Sequence, residues 1–126
     1  MTPAIILVVD DDTPMRSSMR RSLEREGYTV IEAGNANEAL AQLKHTPAQL
    51  VITDIIMPDA DGLELVFALH RSHPDIKIIA ISGGGQFAPE FHLDLASRAG
   101  ASAVLSKPFQ TDVLLNQVRT LLAKAS

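Results

Sequence analysis

The sequence predicts an α/β fold: an open, doubly wound parallel sheet with helices on both faces. Three observations in its 126 residues support that reading. Five short aliphatic runs begin at residues 5, 28, 50, 76 and 103. Those intervals of 22 to 27 residues each leave room for one strand, one helix and two short loops. Segments of helical period lie between the runs, and start and stop signals fall where such an alternation needs them.

The first strand is Ile5-Ile6-Leu7-Val8-Val9, apolar throughout, as a strand covered on both faces must be. Thr13 followed by Pro14 reads as a cap with proline opening the first helix, along which Met15, Met19 and Leu23 recur every four residues. Gly27 follows, where a left-handed residue ends a helix. Tyr28-Thr29-Val30-Ile31 is the second strand, and its polar residues suit an edge. Asn35 and Glu38 have capping-box spacing and open the second helix. The third strand, Leu50-Val51-Ile52-Thr53, is nearly all apolar again, and Leu63, Val66, Phe67 and His70 then follow the three-and-four spacing of a packed helix face. Ile76 to Ile81 is the fourth strand; Phe87, Phe91 and Leu95 mark a helix that packs on the sheet, closed by Gly100. Ala103-Val104-Leu105 suits the other edge, and Leu114, Val118, Leu121 and Leu122 define the last helix.

A composition of 46% hydrophobic and 21% charged residues fits one globular domain over 1–126. A net charge of -4 offers no basic footprint for a phosphate backbone or an anionic lipid surface, so neither nucleic acid nor membrane is an expected partner. The chain has no cysteine, which excludes disulfides, thiolate metal sites and cysteine nucleophiles. The apolar run from Ala4 to Val9 ends in three aspartates and is too short for a signal peptide or a membrane span. A soluble, cytoplasmic protein is the expectation.

In doubly wound sheets ligands bind beyond the carboxyl ends of the strands. Here the first strand ends in Asp10, Asp11 and Asp12, the third in Asp54, the fourth in Ser82 and the fifth in Lys107. Two carboxylates ~4 Å apart repel by about 4 kcal/mol at an effective dielectric of about 20. A cation must therefore sit among them, and Lys107 alone neutralises only one charge. Mg²⁺ meets the need, since it binds a few carboxylates together with waters and a phosphate oxygen. Taken singly, a strand-end aspartate caps the next helix as readily as it binds an ion, and Asp12 fits that simpler role. Carboxylates, a hydroxyl and an ammonium gathered from several strand ends favour a built site.

Over nearly its whole length the sequence resembles the receiver domain of two-component response regulators. The resemblance rests on Ile6-Leu7-Val8-Val9-Asp10-Asp11-Asp12, on Thr53-Asp54-Ile55-Ile56-Met57-Pro58 with Asp61-Gly62, on Ser82 after Ile81, and on Lys107-Pro108-Phe109. It implies a flavodoxin-like strand order of 2-1-3-4-5. It also implies that Asp54 is the phosphoacceptor, Asp11 a direct Mg²⁺ ligand, Asp10 a ligand through water and the Ile56 main-chain carbonyl a third protein ligand. Ser82 then matches the switch hydroxyl and Lys107 the lysine that pairs with the phosphoryl group. The implied donor is a phosphohistidine on a sensor histidine kinase or a histidine phosphotransfer protein, and the implied output is a contact with a downstream protein through the fourth helix, fifth strand and fifth helix. A cis Lys107-Pro108 bond is implied as well.

The chemistry agrees with those roles. Phosphoryl transfer to a carboxylate needs an in-line nucleophile and positive charge on the equatorial oxygens, and an ordinary carboxylate needs no general base at neutral pH. The expected protein is a phosphoacceptor switch that catalyses its own phosphorylation and dephosphorylation and is not a turnover enzyme. A small phosphatase or phosphotransferase would also use an aspartate nucleophile, but it needs an acid/base partner where Ile56 stands. A phosphorylation-independent pseudo-receiver would not require the intact set of Asp11, Asp54, Ser82 and Lys107. Gly83-Gly84-Gly85 lacks the Gly-Lys-Ser/Thr ending of a nucleotide loop and reads as adaptable backbone beside Ser82. The dispersed His45, His70, His73 and His92 read as solvated surface. Three positions depart from the family pattern: Val104 where receivers carry an aromatic residue, a segment from Ser82 to Gly100 about three residues longer than usual, and apolar Ile56 two after the phosphoacceptor.

Overall fold

A computed structural model describes residues 3–55, 62–82 and 96–123. Strands β1 (Ile5–Val9), β2 (Thr29–Ala33), β3 (Leu50–Asp54), β4 (Lys77–Ser82) and β5 (Ala103–Ser106) form one parallel sheet in the order β2-β1-β3-β4-β5. The helices are α1 (Thr13–Arg25), α2 (Ala36–His45), α3 (Gly62–Ser72), a helical stretch α4 over 96–99, and α5 (Thr111–Ala123). The sheet topology and the two edge strands are those expected from the sequence. In register, Val9 lies beside Thr53, Asp54 beside Ile81 and Ser82 beside Ser106, so four carboxyl ends meet on one rim.

Side chains on a strand alternate between faces, and each face buries its own cluster. Ile6, Val8, Leu50, Ile52, Ile79, Ile81 and Leu105 pack with Met19 and Leu23 of α1 and Leu114, Val118 and Leu121 of α5. Leu7, Val9, Val51, Ile78 and Ala80 pack with Ala39 and Leu43 of α2 and Leu65, Val66 and Leu69 of α3. Each fully buried leucine or isoleucine stabilises the fold by about 1.5–3 kcal/mol, so the two clusters anchor the strands that end at the rim.

Helix ends follow their local chemistry, with one correction. Of the two caps the sequence offers for α1, Asp12 takes the role expected of it and Thr13 does not: the Asp12 backbone is extended and its Oδ1 accepts the Met15 N–H at 3.2 Å. A carboxylate caps at least as well as a threonine hydroxyl, and Thr13 becomes the first helical residue. The second helix starts as expected, with Asn35 Oδ1 accepting the Glu38 N–H at 2.8 Å, while the Glu38 carboxylate accepts the Gly34 N–H at 3.0 Å. Gly27 (φ 95) and Gly100 (φ 119) both take the left-handed conformation expected at helix ends.

The buried face of α3 differs from the sequence expectation. Gly62, Leu65, Val66 and Leu69 are buried, whereas Phe67 is half exposed and His70 is exposed. Both quartets obey helical spacing and share Val66, and only the glycine lets α3 close against β3. Phe67 instead lies under the Arg71 guanidinium, 5.6 Å from its ring centroid. Phe87, Phe91 and Leu95 lie outside the described residues. Among the described residues no helix is long and apolar enough to cross a membrane.

Candidate functional site

Three apolar rows on the α1/α5 face end in charge. Ile6 and Val8 lead to Asp10, Leu50 and Ile52 to Asp54, and Ala103 and Leu105 to Lys107. The alternation that builds the core therefore delivers the polar residues to the rim. Asp10 is fully buried and Asp54 nearly so, while Asp11 is exposed. Their carboxylates each bring one oxygen within 4.8 Å of the others.

Lys107 Nζ donates to Asp54 Oδ2 at 2.8 Å and lies 3.6 Å from Asp10 Oδ2. Asp10 Oδ1 accepts the Asp12 N–H at 2.9 Å, but Asp10 Oδ2 is buried and has no hydrogen-bond partner among the described residues. Burial pushes the Asp10 carboxyl above the usual carboxylate range; the Asp12 N–H and Lys107 oppose that shift, and Asp54 and Asp11 reinforce it. Burial works to lower the Lys107 ammonium, but the hydrogen bond and charge of Asp54, with the charge of Asp10, outweigh it and hold Lys107 above its ordinary value. The lysine stays a firm cation.

Ser82 is buried at the end of β4, and its carbonyl accepts the Lys107 N–H at 2.7 Å, which ties the β5 loop to β4. The Lys107-Pro108 peptide is cis, as expected. Val104 is partly buried against the α2/α3 cluster. Ile56 and Gly83 to Gly85 lie outside the described residues. Of the histidines, His45, His70 and His73 are exposed, as expected, and His92 lies outside the described residues.

Three further residues touch the site, and sequence reasoning assigned them no role. Thr53, fully buried, donates its hydroxyl to the Asp54 carbonyl at 3.0 Å. A Cβ on Gly62 would stand 2.0 Å from that same carbonyl oxygen, so α3 can start this close to β3 only at a glycine. Arg16 Nη1 donates to the Asp10 carbonyl at 2.6 Å. Arg16 is one of four arginines along α1, on the flank of the Met15-Met19 stripe, and nothing in the sequence sets it apart from Arg20, Arg21 and Arg25.

The donor set consists of carboxylate oxygens, one of them a buried oxygen without a hydrogen bond. It fits a hard divalent cation such as Mg²⁺, which would bring that orphaned oxygen a partner.

The chain matches the family model described as the response regulator receiver domain over residues 6–119. It is 38% identical over 121 residues to the response regulator receiver protein CpdR of Brucella abortus (strain 2308), covering 95% of this chain and 98% of that protein. It is also 38% identical over 125 residues to response regulator MprA of Mycobacterium sp. (strain KMS), where it covers 98% of this chain and 53% of the relative. The chain thus spans nearly all of one relative and about half of the other. Among solved structures, the CheY-like response regulator receiver domain protein from Methanospirillum hungatei JF-1 superposes with a TM-score of 0.89 at 33% identity, covering 98% of this chain and 97% of the other. With the fold, the rim and these likenesses in agreement, the chain belongs to the response regulator receiver domains, the phosphoacceptor signalling modules of two-component systems.

Proposed function

We propose that Asp54 accepts a phosphoryl group from a phosphohistidine, on a sensor histidine kinase or a histidine phosphotransfer protein, in a Mg²⁺-dependent reaction. The observation that carries this reading is the convergence of Asp10, Asp11 and Asp54 carboxylates within 4.8 Å beside the Lys107 ammonium. An Asp54 carboxylate oxygen attacks phosphorus, the phosphorus–nitrogen bond of the donor breaks, and its electron pair returns to the imidazole. Lys107 already sits against the nucleophile, so a cation meets an equatorial phosphoryl oxygen without reorganisation. Ser82 supplies a hydroxyl to the transferred group from the adjoining strand end. Asp10, Asp11, Asp54 and the Ile56 carbonyl are the residues that would hold Mg²⁺. When bound, the ion neutralises the carboxylates and withdraws charge from the phosphoryl group.

The resulting phosphoprotein acts as a cytoplasmic switch, not a turnover enzyme, and signals through contact with a downstream protein. Its acidic surface takes no direct part in nucleic acid or membrane binding. Incubation with Mg²⁺ and acetyl phosphate, followed by intact mass, tests the reading. One phosphoryl addition that accumulates in the wild type and is absent from Asp54→Asn supports it. Turnover of the donor without accumulation indicates a phosphatase, and no reaction at all indicates a pseudo-receiver; either outcome overturns it.

A further inference from the structure

Successive side chains on a strand point to opposite faces, so neighbouring residues such as Asp10 and Asp11 would ordinarily aim their carboxylates apart. Here both approach Asp54 within 4.8 Å. The chain must turn out of the sheet between them, and the pairing bears this out. The Asp10 N–H still donates to the Ala33 carbonyl at 3.2 Å, which extends the ladder to β2, but the Asp10 carbonyl accepts a side chain instead. That side chain is Arg16, whose Nη1 donates at 2.6 Å. This carbonyl belongs to the peptide plane that carries the Asp11 N–H, so holding it sets the direction in which Asp11 leaves the strand.

Arg16 is itself held. Its Nε donates to Glu32 Oε1 at 2.9 Å, and Arg20 Nη1 donates to the other oxygen of that carboxylate at 2.7 Å. The main-chain carbonyl of Glu32 accepts from Gln42 Nε2 at 3.2 Å, which ties the end of β2 to α2. One guanidinium thus spans from β2 to the peptide between the two acidic residues, and its fork geometry allows it to hold both ends together. The Arg16 and Glu32 side chains are only 18% and 23% exposed, so water competes weakly for their bonds.

We infer that Arg16 is a positioning residue of the acidic site: clamped by Glu32, it fixes the Asp10–Asp11 peptide so that both carboxylates converge on Asp54. The inference rests on the Mg²⁺ reading of that site. Partners of this kind, which orient ligands without touching the ion, change metal affinity about 10- to 100-fold when removed.

Calorimetric titration of the unphosphorylated protein with Mg²⁺ tests the role, with thermal melts in EDTA to show that each variant folds. Arg16→Ala is expected to weaken Mg²⁺ binding about tenfold or more. Arg16→Lys keeps the charge but not the fork and is expected to weaken it as well. Arg20→Ala removes an ion pair to the same Glu32 without touching Asp10, and its affinity is expected to stay within about threefold of wild type, as for a half-exposed pair. Wild-type affinity in a folded Arg16→Ala or Arg16→Lys overturns the positioning role and leaves the metal site standing. An equal loss in Arg20→Ala overturns it too, since the effect would then belong to the whole ion network. A wild-type protein that binds no Mg²⁺ overturns the site reading and this inference together.

Discussion

Replacing Asp10 with asparagine should stabilise the metal-free protein, although it removes a charged residue from a site built of charge. At an effective dielectric of about 20, the repulsion from each neighbouring carboxylate at the 4.8 Å limit is about 3.5 kcal/mol. Attraction to Lys107 Nζ at 3.6 Å is about 4.6 kcal/mol on the same scale. Asp11 is exposed and its share is largely screened by water, so attraction and repulsion nearly cancel. What remains is the burial of a charged oxygen with no hydrogen bond, a cost of about 1–3 kcal/mol. The substituted amide retains an oxygen for the Asp12 N–H and brings a donor near Asp54. Asp10→Asn should therefore raise the unfolding free energy by about 1–3 kcal/mol in EDTA at neutral pH.

The pH dependence has a defined sign. Because burial raises the folded pKa of Asp10 above its unfolded value, the stability linked to its proton is fully present below about pH 4 and is lost as pH rises through the folded pKa. The advantage of Asp10→Asn over wild type should accordingly be largest at neutral pH and shrink as the solution is acidified. Urea unfolding of both proteins in EDTA across that range, repeated with Mg²⁺, measures the effect; the stabilisation by Mg²⁺ should be weaker in the variant. A variant less stable than wild type at neutral pH in EDTA, or an advantage that grows on acidification, would show that the buried Asp10 charge does not cost the fold stability.

Mg²⁺ at about 100 times its dissociation constant should stabilise the unphosphorylated wild type by about 2.7 kcal/mol, and Asp11→Ala should lose most of that response; a melting temperature indifferent to millimolar Mg²⁺ contradicts it. Gly62→Ala should destabilise by about 2–4 kcal/mol, because its Cβ would meet the Asp54 carbonyl oxygen at 2.0 Å and the Ile55 Cα at 2.6 Å; unfolding at wild-type denaturant concentration would show that α3 shifts freely. If Asp54 carries the phosphoryl group as proposed, Ile56→Asn should hasten its loss, since an amide two residues along the chain can hydrogen-bond a hydrolytic water and isoleucine cannot. Unchanged or slower decay of the phosphoprotein would remove that argument.

Periodicity of two and of about 3.6 carried most of the fold, because the five strands and the α1 and α5 faces bury side chains in simple repeating rows. It was ambiguous for α3, where two quartets obeyed the same spacing and only tertiary closeness to β3 selected the face containing Gly62. Asp12 and Thr13 both read as caps of α1, because Thr-Pro is itself a helix-start signal, and the stronger capping residue, the aspartate, is the one used. The placing of Asp10, Asp54 and Lys107 at one rim was legible because each ends a strand or directly follows one. Thr53 and Arg16 were not, since both act through main-chain carbonyls, and which carbonyl a side chain reaches depends on how the chain turns after the strand.

Chemical trapping identifies the carboxylate that carries the phosphoryl group. After reaction with acetyl phosphate and Mg²⁺, borohydride reduces an aspartyl phosphate to homoserine, and peptide mass analysis locates the reduced residue. Conversion at Asp54 alone, abolished by EDTA and by Asp54→Asn, is the predicted result. Conversion at another aspartate, or equal conversion at Asp54 with the divalent ion removed, would show that Asp54 is not a Mg²⁺-dependent phosphoacceptor.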